Sequence, residues 1–520
     1  TRVLSVVAMG GTGKSALVNT WLRRMGDDHY RGAHRVFGWS FYSQGTSDGA
    51  ASSDQFIDKA LPWFGDSDPK QGSFLDKAER LAKLVRRERT LLILDGLEPL
   101  QHPPGVNEGW LKDKSVSALL RDIAAIGHAL CVVTTRLPVE DLADHEGRAA
   151  ESIVLDKLSK EAGAALLEEL GAVGTVKERE QATEDFRGHA LALTLLARYL
   201  VDACDGDIRR RDEIGPLEEE ERRGGHAKRV MVSYEKWFGE GPALSVLRLL
   251  GLFDRPADGK AIAALRASPP IKDLTDAFQD LSERDWKLAL KKLRNARLLA
   301  EASKEEAATL DAHPLVCEHF GAELRKKDPE AWREGHSRLF EHLQKVGEEF
   351  PETVDAMAPL YAAVRHGCLA ERRQEALDHV YKKRVQRGNE FFHSKKLGAF
   401  GSELAMLSGF FDPPWIRLAP GLTEPDQGIV LNAAGFALRA LGRLAEAAEP
   451  MRLSSENYAA REDWKAAART ASNLSELHLA AGDIEQAVAV ARQSVELADR
   501  SEDAFLRMAM RTTLADAQHQ

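Results

Sequence analysis

The chain has 520 residues, 43% of them hydrophobic and 29% charged, with a formal charge of −10. That length holds roughly three or four domains, each with its own core, and the acidic balance excludes a global pull toward nucleic acid, leaving only a local basic patch open. No apolar run reaches the roughly 20 residues a membrane-spanning helix needs; residues 190–201 come closest and are interrupted by Arg198. No signal peptide is evident. Cys131, Cys204, Cys317 and Cys368 lie far apart with no CxxC pair, which reads as reduced, mostly buried thiols of a cytoplasmic protein.

The first element is an apolar run, residues 3–7, predicted as a buried strand, and residues 16–25 have helical spacing. Between them stand Gly10, Gly11, Thr12, Gly13, Lys14, Ser15 and Ala16. A glycine-rich turn between strand and helix lets successive N–H groups converge on an anion at a helix N-terminus. Lys14 is expected to reach the β- and γ-phosphates of ATP or ADP, and Ser15 to ligate Mg²⁺. Ala8 stands where the strict phosphate-loop pattern has glycine.

Strands and helices then alternate. Residues 35–42 are predicted as a second strand, 43–54 as a polar loop, 55–64 and 74–87 as helices, and 90–95 as a third strand. Asp95 closes that strand where open α/β sheets bind ligands, placing it to share the Mg²⁺ with Ser15. Glu98 follows and is a candidate base for the attacking water. A helix over 115–126 leads to a fourth strand, 129–136, whose terminal Arg136 can sense a γ-phosphate through its planar guanidinium. Residues 152–155 complete an α/β nucleotide-binding domain, a doubly wound parallel sheet over residues 1–156.

Helices follow at 160–170, 178–186 and 190–203, in a helical domain with its linker over 157–228. Residues 205–229 are dense in charge and glycine and read as an exposed linker. Helices near 242–252, 259–264, 273–280 and 285–295, then apolar pieces at 298–301 and 308–311, suggest a winged-helix domain over 229–325, without a strongly basic recognition helix. His313, before a proline at a helix start, reads on general grounds as a capping or core histidine. From about Pro329 the chain is expected to be helical. Residues 326–425 are a connector with degenerate repeats, and 426–520 tetratricopeptide-type pairs with turns at Gly442 and Gly482. Lys382, Lys383, Arg384, Arg387, Lys395 and Lys396 form a basic stretch, read first as a solvated helix face and second as a nucleic-acid contact. The chain begins at Thr1, two residues before its first strand, and another repeat turn is due beyond Gln520. Both ends are therefore expected to continue.

In this order the parts resemble the STAND class of signalling NTPases, bacterial relatives of the NB-ARC and NACHT switches with a tetratricopeptide tail. Residues 8–15 are similar to the family's phosphate loop, 91–99 to its Walker B strand, 133–136 to its sensor motif and 188–193 to its Gly-Leu-Pro-Leu motif. Ala312-His313-Pro314 sits where its Met-His-Asp motif is expected. The proline that packs on adenine is Ala190 here, and the motif aspartate is Pro314, so only the histidine's contact with the ADP β-phosphate carries over, to His313. The resemblance implies an ATP/ADP switch with slow ATPase activity. Its repeats sense a protein or other trigger, it forms a homo-oligomer on activation, and an N-terminal effector outside this chain responds, as in prokaryotic antiphage defence. Alternatives are a transcriptional regulator with a separate DNA-binding domain, or a repeat scaffold whose phosphate loop does not hydrolyse.

Overall fold

The computed structural model describes residues 1–41, 52–215, 224–302 and 308–520. Tyr42 of the expected second strand, most of the polar loop after it, residues 216–223 of the expected linker and residues 303–307 between the two apolar pieces lie outside the described residues.

The N-terminal part alternates β1 (Val3–Val7), α1 (Lys14–Asp27), β2 (Arg35–Ser40), α2 (Asp54–Trp63), α3 (Phe74–Val85), β3 (Thr90–Asp95), α4 (Lys114–Ala125), β4 (Leu130–Thr135) and β5 (Ala150–Val154). The five strands form one parallel sheet in the order β2-β3-β4-β1-β5. Strand alternation divides its side chains between two faces. Leu92, Leu94, Cys131 and Val133 join the core that holds α2, α3 and α4. Leu91, Ile93 and Val132 pack in a smaller cluster with Val18 of α1. Side chains cap the covering helices: Ser73 and Asp76 form a capping box on α3, and Asp113 accepts from the first-turn N–H groups of α4. Because every strand is parallel, all the C-terminal ends meet along one edge, where the phosphate loop lies.

A second core gathers α5 (Lys160–Glu169), α6 (Val176–Asp185), α7 (Ala190–Ala203), α8 (Gly225–Phe238), α9 (Pro242–Leu250), α10 (Gly259–Arg266), α11 (Glu283–Asn295), α12 (Pro314–Lys327) and α13 (Pro329–Val346). α8 corrects the expected linker over 205–229. Ala227, Val230, Met231 and Tyr234 are fully buried at helical spacing, a stripe that the charged residues just before them obscure in the sequence. The expected helix at 273–280 is reduced to a 3₁₀ turn, Asp276–Phe278. The two apolar pieces at 298–301 and 308–311 approach one another, the Ala300 N–H donating to the Asp311 carbonyl at 2.8 Å while Leu310 bridges to Ala257.

The C-terminal part is mostly helical: α14 (Ala358–Leu369), the single turn α15 (Arg373–Glu375) running into a π-helical stretch (Ala376–Gln386), α16 (Phe400–Leu407), then α17 (Glu424–Ala440), α18 (Leu444–Ala460), α19 (Trp464–Ala480), α20 (Ile484–Arg500) and α21 (Ala504–His519). α17 to α21 pack in sequence as antiparallel pairs, with tight turns at Gly442 and Gly482, whose φ values of 75° and 82° favour glycine. Three members of the basic stretch before them are clamps, while Lys383, Lys395 and Lys396 are exposed as a solvated face expects. Lys382 pairs with Asp378 and Asp426, Arg384 donates to the carbonyls of Gln344, Gly347 and Glu348, and Arg387 donates to that of Pro351.

Candidate functional site

Gly11 (φ 77°) and Gly13 (φ 100°) take the left-handed conformation that lets the chain turn between β1 and α1. Gly13 supplies no side-chain cap, so the first-turn N–H groups of α1 are left for a ligand. Thr12 closes the loop by donating to the Met9 carbonyl at 2.7 Å. Lys14 is buried and folds back on the loop, its Nζ donating to the carbonyls of Ala8 (2.6 Å) and Met9 (3.2 Å). Burial lowers its pKa, opposed in part by the charge of Glu98.

At the end of β3, Asp95 Oδ1 accepts from Ser15 Oγ at 2.8 Å and from Thr134 Oγ1 at 2.6 Å, and Thr134 Oγ1 itself accepts from the Gly96 N–H at 2.8 Å. A hydroxyl and a carboxylate held side by side suit Mg²⁺, which keeps water and phosphate oxygens for its remaining positions. Among the described residues no group of three or more His, Cys, Asp or Glu could hold a metal, so a cation here would depend on phosphate oxygens as well.

Glu98 opens the turn just after β3. Its carboxylate lies 3.7 Å from Lys14 Nζ and 3.7 Å from Arg136 Nε, and neither of its buried oxygens makes a hydrogen bond. The Arg136 guanidinium lies against the phosphate loop, 3.5 Å from where a Cβ on Gly10 would sit. A buried carboxylate between two cations, with unused lone pairs, can orient a water or balance charge that a phosphate would otherwise balance.

His189 is a residue that the sequence reading did not single out. Its Nδ1 caps α7 by accepting from the Ala192 N–H at 3.2 Å, which leaves the neutral ring's proton on Nε2, 3.0 Å from the Gly10 carbonyl oxygen. The Leu191 N–H donates to the Gly11 carbonyl at 2.9 Å. α7 is thereby fastened to the phosphate loop itself. A Cβ on Gly11 would lie 2.6 Å from His189 Cε1, so glycine is required there by space as well as by φ.

His313 approaches from the opposite wall. It caps α12, Nδ1 accepting from the Leu315 N–H at 3.2 Å, and its ring stays open to the cleft although protein surrounds it. Those surroundings, then the positive charges of Arg136, His189 and Lys14, push its pKa down to about 4. Its general reading as a capping histidine fits this geometry, and its ring lines the same cavity as the phosphate loop.

These groups line one cavity of about 1530 Å³, which Gly10, Gly11, Thr12, Gly13, Lys14, Ser15 and Ala16 enter from the loop side together with Asp95 and Arg136, and His313 from the far side. Beside the loop, Leu155, Leu158, Ala162, Leu166 and Leu191 form an apolar wall suited to a planar base. Each expected site residue except Glu98 thus lines the cavity, and Glu98 lies behind Lys14 and Arg136.

A parallel sheet of this order, a phosphate loop after its first strand and an aspartate closing β3 define a P-loop ATPase-type nucleotide-binding fold with a helical C-terminal region. No family model and no curated protein matches the sequence. Among solved structures, the chain is similar to a signal transduction ATPase with numerous domains (STAND) carrying a tetratricopeptide repeat sensor from Pyrococcus horikoshii, at 15% identity and a TM-score of 0.44 over 100% of this chain and 78% of that one. It is also similar to a Walker-type ATPase of Pyrococcus abyssi (16% identity, TM-score 0.28, 61% of this chain and 91% of that one). The Aeropyrum pernix Orc1 protein, solved in complex with DNA, is a further likeness (15% identity, TM-score 0.31, 63% and 86%). At these values the likenesses add nothing to what the chain's own geometry carries. Among the described residues no helix is long and apolar enough to cross a membrane.

Proposed function

We propose that the chain is an ATP/ADP-dependent signalling switch, with the phosphate loop as its nucleotide site and the C-terminal helical pairs as its sensor. The observation that carries this reading is the construction of the cavity: Lys14, Arg136 and the α7 anchor His189 on one side, His313 at the head of α12 on the other. In this reading Lys14 and the N–H groups of α1 hold the phosphates, and Ser15 and Asp95 hold Mg²⁺. Arg136 favours a γ-phosphate, Glu98 orients water for slow hydrolysis, and His313 favours ADP. Two arrangements with different affinities for the two nucleotides are what a switch requires; moving a balance from 1:99 to 99:1 takes about 5.5 kcal/mol of such difference. The units would be a nucleotide-binding domain, a helical domain, a winged-helix domain opening with α8 and supported by the Ala300–Asp311 pairing, a connector and the repeats. Activation would proceed by oligomerisation and would engage an N-terminal effector, the arrangement suited to prokaryotic antiphage defence.

The test is to denature the purified protein and identify any nucleotide released, then follow particle size by light scattering with ADP or ATP. ADP near one per chain and monomers, with larger particles only in ATP, is the expected result, and Lys14→Ala should abolish both. A folded protein that neither retains nor binds nucleotide would sink the reading and leave the repeat scaffold in its place.

A further inference from the structure

The cavity extends well past the phosphate loop. Pockets of roughly 300–1,000 Å³ suffice for a drug-sized ligand, whereas this one measures about 1530 Å³ and runs on to a second charged end. That end is built from the turn after α9, which carries Asp254 and Arg255, from His336 on α13, and from Arg365 on α14, with Arg325 and Lys326 of α12 exposed at its rim. It is an electrostatic grouping distinct from the nucleotide end. His313 responds to Arg136, His189 and Lys14, while His366, behind the far end, responds to His336, Arg365 and Arg255.

Charge is unbalanced there. Asp254 is shared: one oxygen pairs with Arg365 and the other lies 3.4 Å from Arg255 Nε. Glu318 of α12, a further carboxylate of the cavity lining, is engaged by Lys228 at 3.0 Å. Burial lowers the pKa of both arginines, that of Arg365 to about 10, and one carboxylate faces the two of them. A second observation points the same way. His336 is 1% exposed, its Nδ1 lies 2.8 Å from His366 Nδ1, and its Nε2 has no hydrogen-bond partner. Two neutral rings facing through Nδ1 share one proton between them. When His366 supplies it, the His336 proton sits on Nε2, a buried donor awaiting an acceptor.

We infer that this end of the cavity is a second anion site, independent of the phosphate loop, in which Arg255, Arg365 and His336 hold the phosphoryl group of a small phosphorylated ligand. Guanidinium forks match phosphate oxygens in pairs, and a dianion balances two arginines where the single Asp254 carboxylate cannot. The arginines come from different parts of the chain, the turn before α10 and the connector helix α14. A bound phosphoryl group would therefore tie the region carrying His313 to the helices that lead into the repeats. Where it alters nucleotide affinity at the other end, linkage requires nucleotide to alter its own affinity by the same factor.

The test uses the whole chain with Lys14→Ala, which disables the phosphate loop, titrated calorimetrically with inorganic phosphate, pyrophosphate and ADP. One saturable event is expected. It should weaken at least tenfold in Arg255→Gln and in Arg365→Gln, and stay unchanged in the surface control Arg452→Gln. Asp254→Asn, which removes the competing carboxylate, should tighten binding several-fold, an effect that a merely structural ion pair would not produce. Binding of phosphate or pyrophosphate identifies the phosphoryl group as sufficient; binding of ADP alone, with the same arginine dependence, makes a second nucleotide the source. No saturable binding by any probe, or binding indifferent to Arg255 and Arg365, overturns the inference, and neither result touches nucleotide binding by the unmodified phosphate loop.

Discussion

Glu98 is held where a phosphate would be welcome. It faces Lys14 and Arg136 at 3.7 Å each and makes no hydrogen bond with either oxygen, so its charge balances the same two cations a γ-phosphate would engage. Two effects follow from one carboxylate: it competes with phosphate for those cations, and it can orient a water for attack. Glu98→Gln keeps the shape and removes the charge. We expect it to raise affinity for ADP and for a non-hydrolysable ATP analogue about tenfold, equivalent to about 1.4 kcal/mol, while lowering ATP turnover. Titration with fluorescent nucleotides and a phosphate-release assay would read the two effects separately, and weaker analogue binding in the variant would rule out the competition. The phosphate loop, Asp95 and Arg136 were legible in the sequence because each sits at the end of a continuous apolar run, which is how strands buried on both faces read. His189 was not. Its signal is a cap residue at the head of an apolar helix, and its second partner, the Gly10 carbonyl, lies 179 positions upstream.

Helix α12 carries its own cap into the cleft, and that joins its N-terminus to the chemistry of the site. His313 Nδ1 accepts from the Leu315 N–H, so the ring is fixed in direction while its other nitrogen stays available. With a pKa of about 4, the ring is neutral at pH 7. Phosphate charge arriving in the same space raises that pKa, so nucleotide binding must take up protons. The sign is determined. Below about pH 4 the ring is charged with or without ligand, between that value and the raised one the gain shrinks as pH rises, and above both it is gone. ADP affinity should therefore fall from pH 5 to pH 8, with proton uptake visible as a buffer-dependent enthalpy in calorimetry. His313→Ala should flatten the pH profile and weaken ADP more than ATP. An unchanged slope in that variant would remove His313 from the site. Helix α8 shows the converse limit of legibility at this scale: its apolar stripe is regular, yet the run of charge immediately before it made the whole segment read as linker.

The α/β part and the helical part are one packed body. A single hydrophobic core runs from Val3, Phe56 and Leu92 through Phe340, Leu377 and Leu407 to Leu474 and Leu477. Neither the sequence pattern of the strands nor that of the repeats predicts this, because periodicity reports which face of an element is buried and not against what. At the junction Asp54, the first residue of α2, accepts from the Ser402 N–H at 2.8 Å near the start of α16. A Cβ on Gly401 would come within 2.5 Å of Ser52 Oγ, so the two parts meet at backbone distance. Burial, then the charge of Asp113, raises the Asp54 pKa to about 7, and burial raises that of Glu403 to about 7 as well. A carboxyl whose pKa is raised by folding favours the folded contact fully below its unfolded value, near 4, and loses that advantage as pH climbs through 7. Asp54's share of the junction is therefore strongest in mild acid. Between pH 5 and pH 8 that share should fall by on the order of 2–4 kcal/mol, read as the difference between the parent and Asp54→Asn, because buried histidines such as His336 and His393, whose pKa values burial lowers to about 3, work in the opposite direction on the whole fold. Asp54→Asn cannot ionise; its thermal midpoint should gain on the parent's as pH rises and lie above it at pH 8. Because the contact joins the nucleotide-binding part to the helices that precede the repeats, the same variant should also resist opening. Under the proposed ATP-driven assembly, fewer large particles would form at pH 8 from Asp54→Asn than from the parent, while equal assembly with the expected gain in thermal midpoint would separate this junction from the switch.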